Sequence, residues 1–155
     1  MPATTHEPVS AVFELARRPA RARTTVLMVD DFALVGEGLA ASFAGDLELE
    51  VVGLATDGRT ALRLARETRP DVVLVDPCVV LGEVSVVDRL QAEVPSMKAV
   101  LLTRDDDPAH GLDERGAAAG MHARVGRSAS RAQLRHTLIE VGRLRAPVGR
   151  RGRYG

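Results

Sequence analysis

Aromatic residues, cysteine and long apolar runs are all scarce in this sequence of 155 residues. Aromatic residues make up 3% of the chain, and Tyr154 is the only one near the basic C-terminal end, so the sequence predicts no stacking surface for single-stranded nucleic acid. The single cysteine, Cys78, excludes an internal disulfide, which fits a reducing cytoplasm. No apolar run approaches the roughly 20 residues of a membrane helix, and no signal-peptide core is present. We therefore expect a cytoplasmic protein without a membrane anchor.

The net charge of zero conceals an uneven distribution of charge along the chain. Residues 1–23 carry four Arg and two Glu, and residues 143–155 carry five Arg and no acid, which leaves a net charge of −7 for residues 24–142. We interpret residues 1–23 as a flexible basic leader, 24–145 as one acidic domain, and 146–155 as an Arg/Gly-rich tail. Solvated ends are the preferred interpretation. The alternative is a tail that anchors the domain to nucleic acid or to an acidic protein.

Five short apolar segments predict β-strands, and a segment of helical periodicity follows each of them. The predicted strands are 26–29, 50–55, 71–75, 99–102 and 121–125, and the predicted helices are 34–43, 60–69, 85–93, 109–118 and 130–144. The first helix is expected to bury Leu34, Leu39 and Phe43, and Ser130 with Gln133 predicts a capping box for the last helix. Strands that alternate with helices indicate an α/β fold with a parallel sheet covered on both faces.

Polar groups follow three of these strands at the points where the strands end. Asp30 and Asp31 follow the first strand, Asp76 follows the third, and Thr103 follows the fourth. Because parallel strands all point the same way, these groups are expected to meet at one edge of the sheet, where ligands of α/β proteins bind. Neighbouring carboxylates need a positive partner, commonly a metal ion. The sequence therefore predicts a site at this edge.

The chemistry that fits this set of residues is phosphoryl transfer to a carboxylate. A carboxylate can accept a phosphoryl group as an acyl phosphate, and Mg²⁺ held by neighbouring acids neutralises the charge that is transferred. A hydroxyl group such as that of Thr103 can donate to a phosphoryl oxygen, and a cation on the next strand, here Arg124, can balance the remaining charge. Alternatively, Arg124 forms a fixed ion pair with Asp30, Asp31 or Asp76.

Four segments together resemble the receiver domain of bacterial two-component response regulators, most closely the subfamily with a LuxR/NarL-type helix-turn-helix output domain. These segments are VLMVDDFALVGEGL, EVVGLATDGRTALRLARETRPDVVLVD, AVLLTRDDD and RGAAAG. The resemblance implies a flavodoxin-like sheet of order 2-1-3-4-5 with Asp76 as the phospho-acceptor. It also implies that Asp30, Asp31, Asp76 and the backbone carbonyl of Cys78 bind Mg²⁺, and that Thr103 follows the phosphoryl group.

Several positions depart from the pattern of that family. Counting from Gly120 places Arg124 where the family has lysine, and an arginine offers a planar fork in place of a compact ammonium. Met121 stands at the position of the family's aromatic switch residue, and Pro77 with Val79 to Gly82 replaces the usual loop after the acceptor. These departures predict an atypical receiver. An aspartate-based phosphohydrolase would want an acid at position 78, which is Cys, so we do not expect an enzyme.

The resulting hypothesis is a stand-alone receiver that acts as a signalling switch. About ten residues follow the last predicted helix, too few for a helix-turn-helix, so direct DNA binding by this chain is not expected. The expected partners are a sensor histidine kinase or another signalling protein, and a homodimer through residues 109–144. The alternative is a pseudo-receiver, a module that binds a protein or ligand without using phosphate.

Overall fold

The computed structural model describes residues 22–82, 84–103 and 121–144. Within these residues the strands are β1 Thr24–Val29, β2 Leu49–Ala55, β3 Val72–Val75, β4 Val80–Leu81, β5 Val84–Ser85, β6 Lys98–Thr103 and β7 Met121–Gly126. The helices are α1 Ala33–Ser42, α2 Gly58–Thr68, α3 Val86–Glu93 and α4 Arg131–Arg143. The predicted helix 109–118, the tail 146–155 and nearly all of the leader 1–23 lie outside the described residues.

The strands form a five-stranded parallel sheet of order β2-β1-β3-β6-β7. The two short strands β4 and β5 make a separate antiparallel hairpin, which the sequence analysis did not predict. With that hairpin set aside, the five sheet strands follow the predicted order 2-1-3-4-5. The prediction of an α/β fold with a parallel sheet is confirmed.

Both faces of the sheet are covered by helices, which makes a three-layer sandwich. Strand residues alternate between the faces: Leu27 and Val73 belong to one apolar cluster, and Val26 and Val72 belong to the other. Helices α2 and α3 pack on the first face, and α1 and α4 pack on the second. Strand β3 is buried along its whole length because it lies between β1 and β6, which explains its unbroken apolar sequence.

The first helix differs from the prediction in the face that it buries. Leu39 and Phe43 pack into the core as expected, but Leu34 is 81% exposed, so its predicted burial is wrong. The buried residue in the first turns is Gly36, where an added Cβ would lie 3.6 Å from Cδ2 of Leu54. Helix α1 therefore approaches β2 through a residue without a side chain, and Leu34 faces solvent.

The last helix follows the prediction closely. The Ser130 hydroxyl accepts a hydrogen bond from the Gln133 backbone N–H, and the Gln133 side chain accepts one from the Ser130 backbone N–H, so the capping box is present. The predicted inner residues of the helix, Leu134, Leu138 and Val141, are buried. Near its end, a Cβ on Gly142 would lie 2.4 Å from Cγ2 of Thr24, so the absence of a side chain allows α4 to lie close to β1.

Most elements begin or end one or two residues from their predicted bounds. Helix α2 begins at Gly58, two residues earlier than predicted, because the Asp57 side chain accepts a hydrogen bond from Thr60 N. Strand β7 forms as predicted and continues to Gly126, one residue further than expected. No helix among residues 22–82, 84–103 and 121–144 is long and apolar enough to span a membrane.

Candidate functional site

Three carboxylates meet at the carboxyl edge of the sheet, where the sequence analysis expected them. Asp30 directly follows β1 and Asp76 directly follows β3, and the register pairs Val29 with Val75, so the two acids leave neighbouring strands at the same level. Asp30 is 6% exposed and Asp76 is 5% exposed, whereas Asp31 is exposed. One oxygen atom from each of Asp30, Asp31 and Asp76 lies within 4.8 Å of the others. The edge therefore carries a compact acidic group.

The two buried carboxylates are oriented by the backbone that follows them. The Phe32 N–H donates to Oδ1 of Asp30 at 2.9 Å, and the Cys78 N–H donates to Oδ1 of Asp76 at 2.8 Å. Both bonds span two residues, the turn that Asp side chains commonly form with their own chain. In each residue the bond occupies Oδ1, so Oδ2 can accept from another group.

The cation of this site is Arg127. Its Nη2 atom donates to Oδ2 of Asp30 at 3.0 Å and to Oδ2 of Asp76 in a shorter contact, so one nitrogen bridges the two buried acids. The Arg127 backbone N–H donates to the Thr103 carbonyl at 2.8 Å, which fixes the residue just beyond the end of β7. Burial lowers the pKa of Arg127, but attraction to Asp30 and Asp76 outweighs it, and the pKa is raised above its ordinary value. Arg127 therefore stays charged.

The sequence analysis did not identify Arg127, because it counted four residues from Gly120 and so placed the cation of the site at Arg124. Strand β7 holds one extra residue opposite Ala99 and Val100, where His122 Nδ1 accepts from the Ala99 N–H. The strand then continues past Arg124, which pairs with Leu101, two residues before the end of β6. At about 3.3 Å per residue this places Arg124 roughly 7 Å from the level of Thr103. The participation of Arg124 in the site stays a prediction.

The remaining predicted residues lie at the same edge. Thr103 is the last residue of β6, is 7% exposed, and its hydroxyl donates to the Val125 carbonyl at 3.5 Å. Cys78 lies two residues after Asp76 on the surface, and its N–H donates to Asp76, while metal binding by its carbonyl stays a prediction. The only lysine of the chain, Lys98, begins β6 at the opposite edge. The cation that pairs with Asp30 and Asp76 is accordingly an arginine.

The donor set fits Mg²⁺, since three carboxylates supply the hard oxygen atoms that this ion prefers. Asp31 would bind through an exposed carboxylate, and Asp30 and Asp76 through buried ones. Arg127 already bonds one oxygen of each buried acid. The arrangement can therefore bind a divalent cation, but that cation and the guanidinium would share the same two acids.

Comparison with curated proteins identifies response regulators as relatives. The chain is 36% identical to the transcriptional regulatory protein LiaR of Bacillus subtilis over 95 residues, which are 59% of this chain and 45% of LiaR. It is 40% identical to the response regulator GacA of Pseudomonas aeruginosa over 85 residues, which are 54% of this chain and 40% of GacA. No protein-family model matches the chain. The chain thus spans less than half the length of these relatives.

Solved structures show the same fold. A two-component response regulator of the LuxR family from Aurantimonas sp. has a TM-score of 0.65 at 24% identity, covering 78% of this chain and 86% of that one. The REC domain of AraT, a response regulator from Geobacillus stearothermophilus, has a TM-score of 0.64 at 24% identity, and the match covers 78% of this chain and 94% of that one. Sequence and fold together confirm the predicted resemblance to response-regulator receiver domains.

Proposed function

We propose that this chain is a signalling switch whose receiver-type domain accepts a phosphoryl group on Asp76. The observation that carries the proposal is the position of Asp76, buried at the carboxyl edge of a parallel sheet with Asp30 and Asp31 beside it. Its Oδ1 is oriented by a backbone N–H, and its Oδ2 faces a guanidinium. A buried carboxylate held in one orientation among other acids is more typical of a functional site than of surface charge.

In the proposed reaction, an oxygen of the Asp76 carboxylate forms a bond to the phosphorus of a phosphodonor. The bond from phosphorus to the donor's leaving group breaks, and the leaving group takes the electron pair. Backbone bonds that already orient the carboxylate reduce the loss of freedom in this step. The product is an acyl phosphate on Asp76.

Each neighbouring residue has a distinct proposed role. Asp30 and Asp31, with Asp76 and the carbonyl of Cys78, would hold Mg²⁺, which supplies charge neutralisation to the transferred group. Arg127 would donate to phosphoryl oxygens once they replace its present contacts with the acids. Thr103 would donate to the same group, and a rotation of its hydroxyl away from the Val125 carbonyl would carry the change into β7. Arg124 would contribute positive charge further along that strand.

The proposed context is cytoplasmic signalling that is not itself enzymatic. A sensor histidine kinase or another signalling protein would supply the phosphoryl group, and output would pass through contacts of the domain, including a homodimer through residues 109–144. Of that surface, residues 121–144 are among those described here. We do not propose direct DNA binding by this chain. The relatives LiaR and GacA are named as regulators, which supports a switch role for the part that resembles them.

The first test is the intact mass of the protein after incubation with acetyl phosphate and Mg²⁺. We expect a single phosphoryl adduct on the wild type and none on Asp76→Asn. Asp88→Asn, which removes a carboxylate from α3, is the matched control and should still form the adduct. The absence of an adduct on wild-type protein shown to be folded by circular dichroism would contradict the proposal.

A second candidate is a pseudo-receiver that binds a partner without phosphate. The observation that favours it is the Arg127 bridge, because a guanidinium already provides the buried acids with a permanent positive partner. A cellular test separates the two functions. If Asp76→Asn reproduces the phenotype of a deletion, the phosphorylated switch is supported. If the variant retains activity at normal abundance, the pseudo-receiver is supported.

A further inference from the structure

Both oxygen atoms of each buried acid already accept a hydrogen bond from a donor of the chain itself. In both Asp30 and Asp76, Oδ1 accepts a backbone N–H and Oδ2 accepts Nη2 of Arg127. The two backbone bonds come from the turns that follow β1 and β3, whereas the guanidinium reaches the acids at the end of a flexible side chain. Arg127 is therefore the only one of these donors that can leave without a change in the backbone.

We propose that Arg127 is a built-in competitor of Mg²⁺, and that loading of the metal displaces its guanidinium from the bridge between Asp30 and Asp76. This proposal rests on the metal site of the proposed function, but it does not depend on phosphorylation. It predicts that the resting protein binds Mg²⁺ weakly and that Arg127 sets this affinity.

The electrostatic argument follows from the composition of the site. Three carboxylates carry a formal charge of −3, which Arg127 reduces to −2. A dication that binds the same oxygen atoms would lie a few ångströms from the guanidinium and would be repelled by it in a partly buried environment. The remaining charge of −2 still attracts Mg²⁺, so the guanidinium lowers the affinity for the metal without abolishing it.

The position of Arg127 allows the displacement. Its side chain is 27% exposed, so a path to solvent exists. The residue also borders a cavity of about 80 Å³ between α1 and α4, which Leu39, Leu102 and Leu134 also line. Its backbone remains tied to the Thr103 carbonyl, so the guanidinium can move while the chain stays in place.

The test is Mg²⁺ binding by isothermal titration calorimetry at low ionic strength, without any phosphodonor. We expect Arg127→Gln to bind Mg²⁺ at least about tenfold more tightly than the wild type, since it retains the three acids and removes the competing charge. Arg63→Gln is the matched control, because Arg63 is an exposed arginine of α2 that pairs with Glu67 and its loss changes the net charge equally. Its affinity should stay within about twofold of the wild type.

An unchanged or weaker affinity in folded Arg127→Gln would overturn the proposal. A second measurement uses the wild type alone, in case that variant does not fold: the side-chain Nε–H resonance of Arg127 in ¹⁵N spectra should shift as Mg²⁺ is added. A resonance that stays fixed while calorimetry detects binding would also overturn it. If neither the wild type nor Arg127→Gln binds Mg²⁺, both this proposal and the proposed metal site fail. If Arg127→Gln binds Mg²⁺ more tightly as expected but the wild type forms no phosphoryl adduct, only the proposed phosphorylation is contradicted.

Discussion

The sheet carries an arginine–carboxylate cluster at each of its two edges, and the clusters differ in their charge balance. At the amino edge of β2, three acids (Asp46, Glu48, Glu140) pair with three arginines (Arg131, Arg135, Arg143), a group that we call the amino-edge clamp. At the carboxyl edge, Asp30, Asp31 and Asp76 lie together, and one arginine among the described residues, Arg127, bridges Asp30 and Asp76. The clamp is neutral, whereas the carboxyl-edge group carries a formal charge of −2.

This difference indicates what each cluster does. In the clamp, Asp46 accepts the backbone N–H groups of Glu48 and Leu49 and two bonds from Arg135, and the Arg135 bond is the largest reason that the pKa of Asp46 falls to about 2. Every charge there has a partner, and the clamp fastens α4 to the segment before β2. At the carboxyl edge the excess negative charge is a cost to folding that a bound cation would relieve. The first cluster is structural, and the second has the properties of a binding site.

The largest expected effect is that of Asp46→Ala. The substitution removes the acceptor of two backbone N–H groups and leaves Arg135 with Glu48 alone, so we expect the free energy of unfolding to fall by about 2 kcal/mol. This expected loss of stability is modest for a carboxylate as buried as Asp46, whose side chain is 6% exposed, because its partner Arg135 remains partly solvated. Urea unfolding followed by circular dichroism measures it. A loss below about 0.5 kcal/mol would show that the clamp contributes little.

The pH dependence of unfolding tests the same carboxylate. Its pKa of about 2 in the folded protein lies below the ordinary 3.8, so the stability that Asp46 provides is complete above about pH 5 and is lost as the pH falls from about 4 towards 2. The difference in stability between the wild type and Asp46→Asn should be constant above pH 5 and should shrink through that interval. A difference that is constant down to pH 2 would contradict the assignment.

A smaller effect is expected for Arg127→Gln, and its size depends on the metal. The substitution removes the positive charge that bridges the two buried carboxylates, so we expect the free energy of unfolding to fall by about 1 kcal/mol in EDTA, where no divalent cation is bound. Excess Mg²⁺ should restore this loss, since a ligand that binds the folded state stabilises it. Arg63→Gln should change stability by less than about 0.5 kcal/mol in either buffer. A deficit that Mg²⁺ leaves unchanged would indicate a purely structural pairing.

The smallest expected effect has the opposite sign. Asp76→Asn removes one charge from the over-acidic site and leaves Arg127 paired with Asp30, so we expect a gain of about 0.5 kcal/mol in EDTA. Asp46→Asn, the same change in the neutral clamp, should destabilise the protein. If both substitutions shift stability in the same direction, the contrast between the two clusters does not hold.

Much of the fold could be predicted because it depends on local pattern. Apolar runs predicted β1, β3 and β6, and Ser130 with Gln133 predicted the start of α4, because a buried strand or a helix cap needs particular residue types at fixed positions. Leu34 shows the limit of this reasoning. Helical spacing alone cannot distinguish the buried face of α1, where Gly36 lies against Leu54 of β2 and Leu34 faces solvent.

The site shows the same division between pattern and packing. The three acids were predictable, because Asp30 and Asp76 directly follow apolar strands, Asp31 is adjacent to Asp30, and parallel strands bring their carboxyl ends together. Arg127 was not, because counting four residues from Gly120 leads to Arg124, whereas β7 contains an extra residue and runs to Gly126 before the chain reaches Arg127. A usable signal was nevertheless present: Arg127 lies three residues before the Ser130 cap, in the short connection where the chain leaves the sheet.

The sequence by itself determined the alternation of strands and helices, the strand ends that carry acids, and the capping of α4, since these follow from local chemistry and periodicity. Only the tertiary structure decided which arginine serves those acids. The register between β6 and β7 sets how far the last strand reaches, and that register results from packing and hydrogen bonds between segments distant in the chain. Arg124 lies within β7, Arg127 directly follows the last residue of that strand, and the fold places Arg127 against Asp30 and Asp76.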